Sequence, residues 1–355
     1  MRPSQFFKKV NTLNEVDKIL GLAPDHPATQ SKDTFSSLKS RITTLNTRSW
    51  ENRLQWLEVS RWLENFDGRS GHAADTEKLH ALFLLSQFMY YGSREVRVLL
   101  RSLYREMILV PFVQRARTAL AGSREVAEIS PELKKQLSET RILGIGNPSE
   151  SGPHLLYFFR QENSLSKDRF MNATDIIKAT KADDGSFART IRSPEVTDYF
   201  FIDDVCGSGD TAKKFSRNVL EEIAAMAAPK TVNFHYYSIF GTKAGMKKIR
   251  DNTIFGANAA AIYELDETFA SLSINSRFLK NHPDDIDPNT VRDVALFYGE
   301  LLWPGAAGGY DDNQLILGFG HNTPDNTLPI FWGHPEHYAT VPWNPAFQRH
   351  LKYGY

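Results

Sequence analysis

Residues 199 to 214 read YFFIDDVCGSGDTAKK, and no other stretch of the chain limits its fold so tightly. Tyr199, Phe200, Phe201 and Ile202 form an unbroken apolar run rich in aromatic residues. Such a run predicts a short buried strand. Asp203 and Asp204 stand where that strand is expected to end. Gly207, Ser208, Gly209, Asp210 and Thr211 follow as a small, flexible turn, and Phe215, Val219, Leu220 and Ile223 then recur at helical spacing. This order of parts suits a phosphorylated sugar. Backbone N–H groups at a turn and helix start can hold a phosphate, and the hydroxyls of Ser208 and Thr211 add donors. The paired carboxylates can accept hydrogen bonds from vicinal sugar hydroxyls. Ordinary doubly wound domains also place acids and glycines after a strand, so the turn alone does not decide function.

From Asp203 to Thr211 the sequence resembles, without a gap, the loop of type I phosphoribosyltransferases that binds 5-phosphoribosyl 1-diphosphate (PRPP). The resemblance implies that Asp203 and Asp204 hold the ribose 2′ and 3′ hydroxyls. It also implies that Gly207, Ser208, Gly209, Asp210 and Thr211 wrap the 5′-phosphate. Two positions depart from the pattern. Asp210 stands where many members carry a small residue; its carboxylate would repel a phosphate and is expected to point away. Gly207 stands where some purine-salvage members carry an acid that serves as general base, so base activation must come from elsewhere or be absent.

The 355 residues suffice for two domains, and 41% hydrophobic with 12% aromatic residues can bury a sizeable core. A formal net charge of zero argues against a strongly basic nucleic-acid binder. The single cysteine, Cys206, cannot form an intrachain disulfide and reads as a small buried side chain or a reactive thiol. The opening stretch MRPSQFFKKVNTLNE has no apolar core of a signal peptide, and no apolar run reaches the length of a membrane span. The expectation is a cytoplasmic protein without membrane contact.

The chain divides by period. Residues 1 to 135 are expected to form an α-helical N-terminal domain, and residues 136 to 355 an α/β domain closed by a hood-like C-terminal segment. In the first part, Leu82, Leu85, Phe88, Met89, Val96, Leu99, Leu100 and Leu103 follow helical spacing with a break near Tyr91-Gly92-Ser93. Trp50, Leu54, Leu57 and Trp62 predict a second apolar face. Arg94, Arg97, Arg101 and Arg105 fall on one helical surface, either a solvated face or a seam for an acidic partner.

In the second part, Arg141 to Ile145 predicts a strand, residues 146 to 152 (GNPSESG) a polar turn, and Pro153 the first turn of a helix. The resemblance places the diphosphate contacts of the family on this turn, which implies Ser149, Ser151 and Gly152. It implies Mg²⁺ too, carried by the ligand diphosphate, with no metal set of the protein's own. Residues 163 to 195 read as a polar loop around Asp183-Asp184-Gly185, where Lys167, Arg169, Lys178 and Lys181 can serve a diphosphate or simply face solvent. Thr231 to Phe240 and Ala259 to Leu265 predict strands, with a short helix between them. Glu264, Asp266 and Glu267 close the second, as a solvated strand end or as one carboxylate facing a sugar.

Beyond Trp303, Leu315 to Phe319 predicts a strand, and residues 321 to 327 (HNTPDNT) form a dense polar turn before the apolar run Leu328 to Trp332. That turn either caps its own backbone or contacts a ligand. This closing block, with the DDVCGSGDT and GNPSESG turns, resembles phosphoribosyltransferase-like effectors of bacterial conflict systems, including retron anti-phage cassettes. The implied fold is a Rossmann-like type I phosphoribosyltransferase core with a mainly parallel sheet. The implied partners are PRPP or a nucleotide, and a reverse transcriptase with its RNA–DNA product and a small DNA-binding protein. Three functions fit: an effector or toxin acting at ribose C1, a PRPP or nucleotide sensor or assembly protein without catalysis, and a nucleotide-salvage enzyme. The long helical extension and the HNTPDNT tail favour the first.

Overall fold

In the computed structural model, residues 33–146, 151–181, 185–334 and 341–350 are described, with the side chains of residues 151–154 excepted. Helices α1 (Thr34–Arg48), α2 (Trp56–Leu63) and α3 (Ala74–Ser86) come first, followed by the short strand β1 (Met89–Tyr91). Helix α4 (Ser93–Leu103) continues through a π-helical turn at Tyr104–Leu109 into α5 (Val110–Ala119), and α6 (Val126–Ser138) leads into β2 (Thr140–Gly144). Next come α7 (Ser151–Glu162), the hairpin strands β3 (Ile177–Lys181) and β4 (Phe187–Ile191), and β5 (Asp198–Cys206). Helices α8 (Asp210–Phe215) and α9 (Glu221–Ala227) flank a second π turn, and β6 (Asn233–Thr242), α10 (Lys243–Asn252) and β7 (Ala259–Leu265) complete the sheet. Helix α11 (Pro288–Leu302), strand β8 (Leu317–Phe319) and the single turn α12 (Pro329–Trp332) form the closing part.

Among the described residues the central sheet has the order β2–β5–β6–β7 and every pairing is parallel. Its middle strand β5 carries the apolar run predicted from sequence, and both faces are covered as that run requires. Phe200 and Ile202 point to the side where Leu100, Leu103, Phe112, Leu155 and Phe159 pack from α4, α5 and α7. Tyr199 and Phe201 point to the opposite side, against Leu220, Ile223, Met246 and Ile249. Burying a side chain of this size is worth about 1.5–3 kcal/mol, so the strand is strongly pinned in register. The structure is thus the expected α/β fold, a mainly parallel sheet preceded by helices.

A third apolar cluster ties together distant parts of the chain. Trp50, Val59, Trp62, Phe66 and Phe83 pack with Leu272, Val294, Tyr298, Phe331 and Trp343. Trp62 stacks on Phe331 at 5.7 Å and donates its indole N–H to the Ile330 carbonyl at 2.7 Å. Leu57, expected on this face, is instead exposed, because α2 begins only at Trp56 and turns that position outward.

The expected break at Tyr91-Gly92-Ser93 is more than a loop. Residues Met89, Tyr90 and Tyr91 form β1, which pairs in parallel with Leu317, Gly318 and Phe319 of β8. Tail and helical region are therefore joined by a small sheet of their own. Residues 163 to 195, read as a loop, contain the antiparallel hairpin of β3 and β4; its side chains are mostly exposed, so it carries no strong apolar period to reveal it. Asp183 and Asp184 lie outside the described residues. Of the arginine face, Arg97 and Arg101 both grip Glu162 of α7 at 2.8 Å, which spends them on joining two helices of the chain. Among the described residues no helix is long and apolar enough to cross a membrane.

Candidate functional site

Strand β5 extends past the apolar run to Cys206, so Asp203 and Asp204 lie within the last part of the strand. They face the carboxyl edge of the parallel sheet, where open α/β folds bind ligands. Asp203, Asp204, Gly207, Ser208, Gly209, Asp210 and Thr211 together line a cavity of about 310 Å³. The other side of that cavity comes from the tail: Tyr310, Asn322, Pro324, Asp325, Asn326 and Arg349. Ser149 lies outside the described residues, and Ser151 and Gly152 open α7 with their side chains outside the described part.

The turn holds its shape through two glycines. Gly209 has φ of +77°, a left-handed conformation that disfavours a side chain, and a Cβ there would meet the Gly245 carbonyl at 2.8 Å. Gly207 has no room for a different reason: its Cβ would lie 2.1 Å from Oδ1 of Asn326. The turn is further fastened where the Thr242 hydroxyl donates to the Gly207 carbonyl at 2.6 Å. Ser208 is buried, and its Oγ accepts the N–H of Asp210, the first residue of α8, at 3.3 Å.

Asp210 is tied sideways. Its Oδ1 accepts from Nζ of Lys248 at 3.1 Å and its Oδ2 from the Tyr310 hydroxyl at 3.5 Å, and the Lys248 bond holds its carboxyl below the usual range. The acidic pair is asymmetric. Asp203 Oδ2 accepts the Tyr236 hydroxyl at 2.8 Å, and Asp204 Oδ2 lies 2.8 Å from Nε2 of His321. Part of Asp203 remains open to the cavity. Its carboxyl is nevertheless shut in, and that burial, joined by the neighbouring Asp204 charge, pushes it well above the ordinary carboxylate range. Cys206 is buried, and burial together with Asp203 raises its thiol to about 12, so it is a packing residue rather than a nucleophile.

The HNTPDNT segment divides its side chains between two tasks. The Thr323 hydroxyl donates to the Gln348 carbonyl at 3.0 Å and that of Thr327 to the Leu317 carbonyl at 2.6 Å, both backbone-capping roles. Asn322, Asp325 and Asn326 line the cavity, and His321 backs Asp204 while stacking on Phe319. Arg349 is the one cation among the described lining residues, with a side chain 8% exposed. It donates to the Thr323 carbonyl at 2.7 Å and to Asp325 at 2.9 Å. No local motif marks Arg349, Tyr310 or Tyr236 in the sequence; folding alone brings them to the turn. The cations expected from residues 163 to 195 do not line the cavity: Arg169 instead donates to the Leu137 carbonyl. The closing acids of β7 are also engaged locally, Glu264 with Arg250, Asp266 with Arg277 and Glu267 with Lys243.

A parallel α/β sheet whose middle strand ends in an acidic pair and a small-residue phosphate-type turn defines a phosphoribosyltransferase-like protein. The family model PRTase-CE matches residues 59–349, well over half of the chain, and the chain belongs to that family. No curated protein matches it.

Proposed function

We propose that the protein binds a phosphorylated ribose, PRPP or a nucleotide, in this cavity and acts on its C1 as the effector of a retron-type anti-phage system. One observation carries the ligand reading: the whole turn from Gly207 to Thr211 and both acids open into a single cavity closed by the tail. Backbone N–H groups of the turn would hold the 5′-phosphate, and Asp203 and Asp204 the ribose hydroxyls. Burial and the neighbouring Asp204 charge favour the protonated form of Asp203, and both carboxyl groups can accept from sugar hydroxyls. Arg349, the one cation among the described lining residues, would help balance the charge of the remaining phosphate oxygens from behind Asp325. Orientation and charge neutralisation would supply most of any rate enhancement as the C1 bond opens toward an oxocarbenium-like centre.

Among the described residues no group of three or more His, Cys, Asp or Glu side chains comes together as a metal site. Mg²⁺ would arrive on the ligand diphosphate, since Mg²⁺ is commonly held by substrate phosphates, waters and one or two carboxylates. When bound, it would neutralise the diphosphate. The reading extends to partners: a reverse transcriptase with its RNA–DNA product and a small DNA-binding protein would assemble with the effector. A sensor that binds without turnover is the second reading, favoured by the absence of an acid at Gly207.

Calorimetric titration with PRPP and Mg²⁺, beside the Asp203→Asn/Asp204→Asn double variant, tests the ligand reading. Binding that the double variant loses is expected; equal binding by both proteins would sink the ribose assignment. Product analysis of the same mixtures separates an enzyme from a sensor. Toxicity on expression without the partners, relieved when they are co-expressed, tests the effector role.

A further inference from the structure

We propose that Asn326 takes the place of the side chain that Gly207 lacks, and reads an amino group on the ligand's base. The inference rests on the cavity binding a ribose phosphate. The ideal Cβ position at Gly207 falls 2.1 to 2.2 Å from the three terminal atoms of the Asn326 carboxamide. The tail thus delivers a polar group to the spot from which a residue at position 207 would reach the ligand. The carboxamide is rigidly held. The Asn326 residue is 5% exposed, its carbonyl accepts the Leu315 N–H at 3.0 Å, and its Nδ2 donates to the Tyr310 carbonyl at 3.2 Å.

That last bond fixes which way the amide faces, because a backbone carbonyl only accepts. Oδ1 is therefore the free end. Among the described residues no donor reaches it, and Asn326 lines the cavity. Although the residue as a whole is nearly buried, that oxygen opens to the cavity, where a ligand can supply a donor. Tyr310, whose ring is half-exposed at the same rim, gives a flat apolar surface beside it. An acceptor next to an aromatic face suits a heterocycle that presents an amino group. A base with a carbonyl at that position would set oxygen against oxygen. A carboxamide also cannot take up or release a proton near neutral pH, so Asn326 selects the base but does not activate it.

The test is calorimetric titration of the full chain, with Mg²⁺, by ribose 5-phosphate, AMP and its deaminated counterpart IMP, and by CMP and UMP. Wild type is expected to bind AMP over IMP and CMP over UMP by about tenfold, the worth of one well-placed hydrogen bond against an unpaired acceptor. Asn326→Ala should bring both ratios near one, and Asn326→Asp, which keeps an acceptor, should keep the order. Ratios near one in wild type, or ratios unchanged in an Asn326→Ala protein with wild-type circular dichroism, overturn the inference. Ribose 5-phosphate bound without any preference for amino bases removes this inference alone. No binding of any ribose phosphate removes the reading of the cavity as well.

Discussion

The two ends of strand β5 both carry buried carboxylates, and the protein treats them in opposite ways. At the entry end, Asp198 is 1% exposed and is met by Nε2 of His235 at 2.9 Å, by the Thr197 hydroxyl at 2.7 Å and by Arg115 at 3.3 Å. Burial alone would raise it, but these donors outweigh burial and bring it down to about 2. At the exit end, Asp203 accepts from the Tyr236 hydroxyl and the Asp204 N–H, has another carboxylate beside it, and is driven up. One end therefore spends its charge on joining α5 to the sheet. The other keeps a carboxyl biased toward its neutral form, with a second carboxylate beside it, at the edge of a cavity. Burial by itself does not set the direction in which an aspartate shifts; the donors and charges around it decide.

The largest effect that breaks this contrast is expected at the entry end. Asp198→Ala leaves Arg115 and His235 without their shared acceptor and should cost about 3 kcal/mol in urea unfolding; a variant as stable as wild type would show that the cluster is incidental. Next is the acid limb of stability. A depressed carboxylate contributes fully above its unfolded value of about 3.9, and the contribution is lost as pH falls toward about 2. It should amount to about 2 kcal/mol. Unfolding at pH 4.5 and pH 2.5 should therefore show a shallower fall in Asp198→Asn than in wild type.

A smaller cost, about 1–2 kcal/mol, is expected for Gly207→Ala, whose new methyl group meets the Asn326 amide. Part of that loss should return in the Gly207→Ala/Asn326→Ala double variant, and strict additivity in thermal unfolding would deny the contact. The smallest change is expected at Asp203→Asn. Its raised carboxyl contributes most below the ordinary carboxylate range, and that contribution fades as pH rises through its own elevated value. An amide mimics the protonated form, so the stability that wild type loses as pH rises through that elevated value should not be lost in the variant, and its pH dependence should flatten. A loss as large as that of Asp198→Ala would erase the difference between the two ends.

Much of the sheet was legible because burial on both faces demands uninterrupted apolar residues. Tyr199 to Ile202 announces β5, and the aromatic and β-branched run to Phe240 announces β6. The acidic pair and turn were legible because their order along the chain is also their order in space. The hairpin of β3 and β4 was not, since its strands are exposed and leave no period. Strand β1 was hidden inside a helical pattern; it exists because Met89 to Tyr91 find β8, far away in sequence.

What the sequence by itself determined is the local chemistry of the site: a strand, two acids and a glycine turn leading into a helix. Neighbouring residues settle those features through apolar periodicity and backbone freedom. Only the tertiary structure decided in which direction each aspartate is shifted, which tail residues reach the turn, and why position 207 must be glycine. Those outcomes depend on His321, Asn326 and Arg349 arriving from the closing segment, on Tyr236 from the next strand, and on Arg115 from a helix before the sheet. Electrostatic and steric effects of this kind act over a few ångströms in space, and no spacing along the chain encodes them.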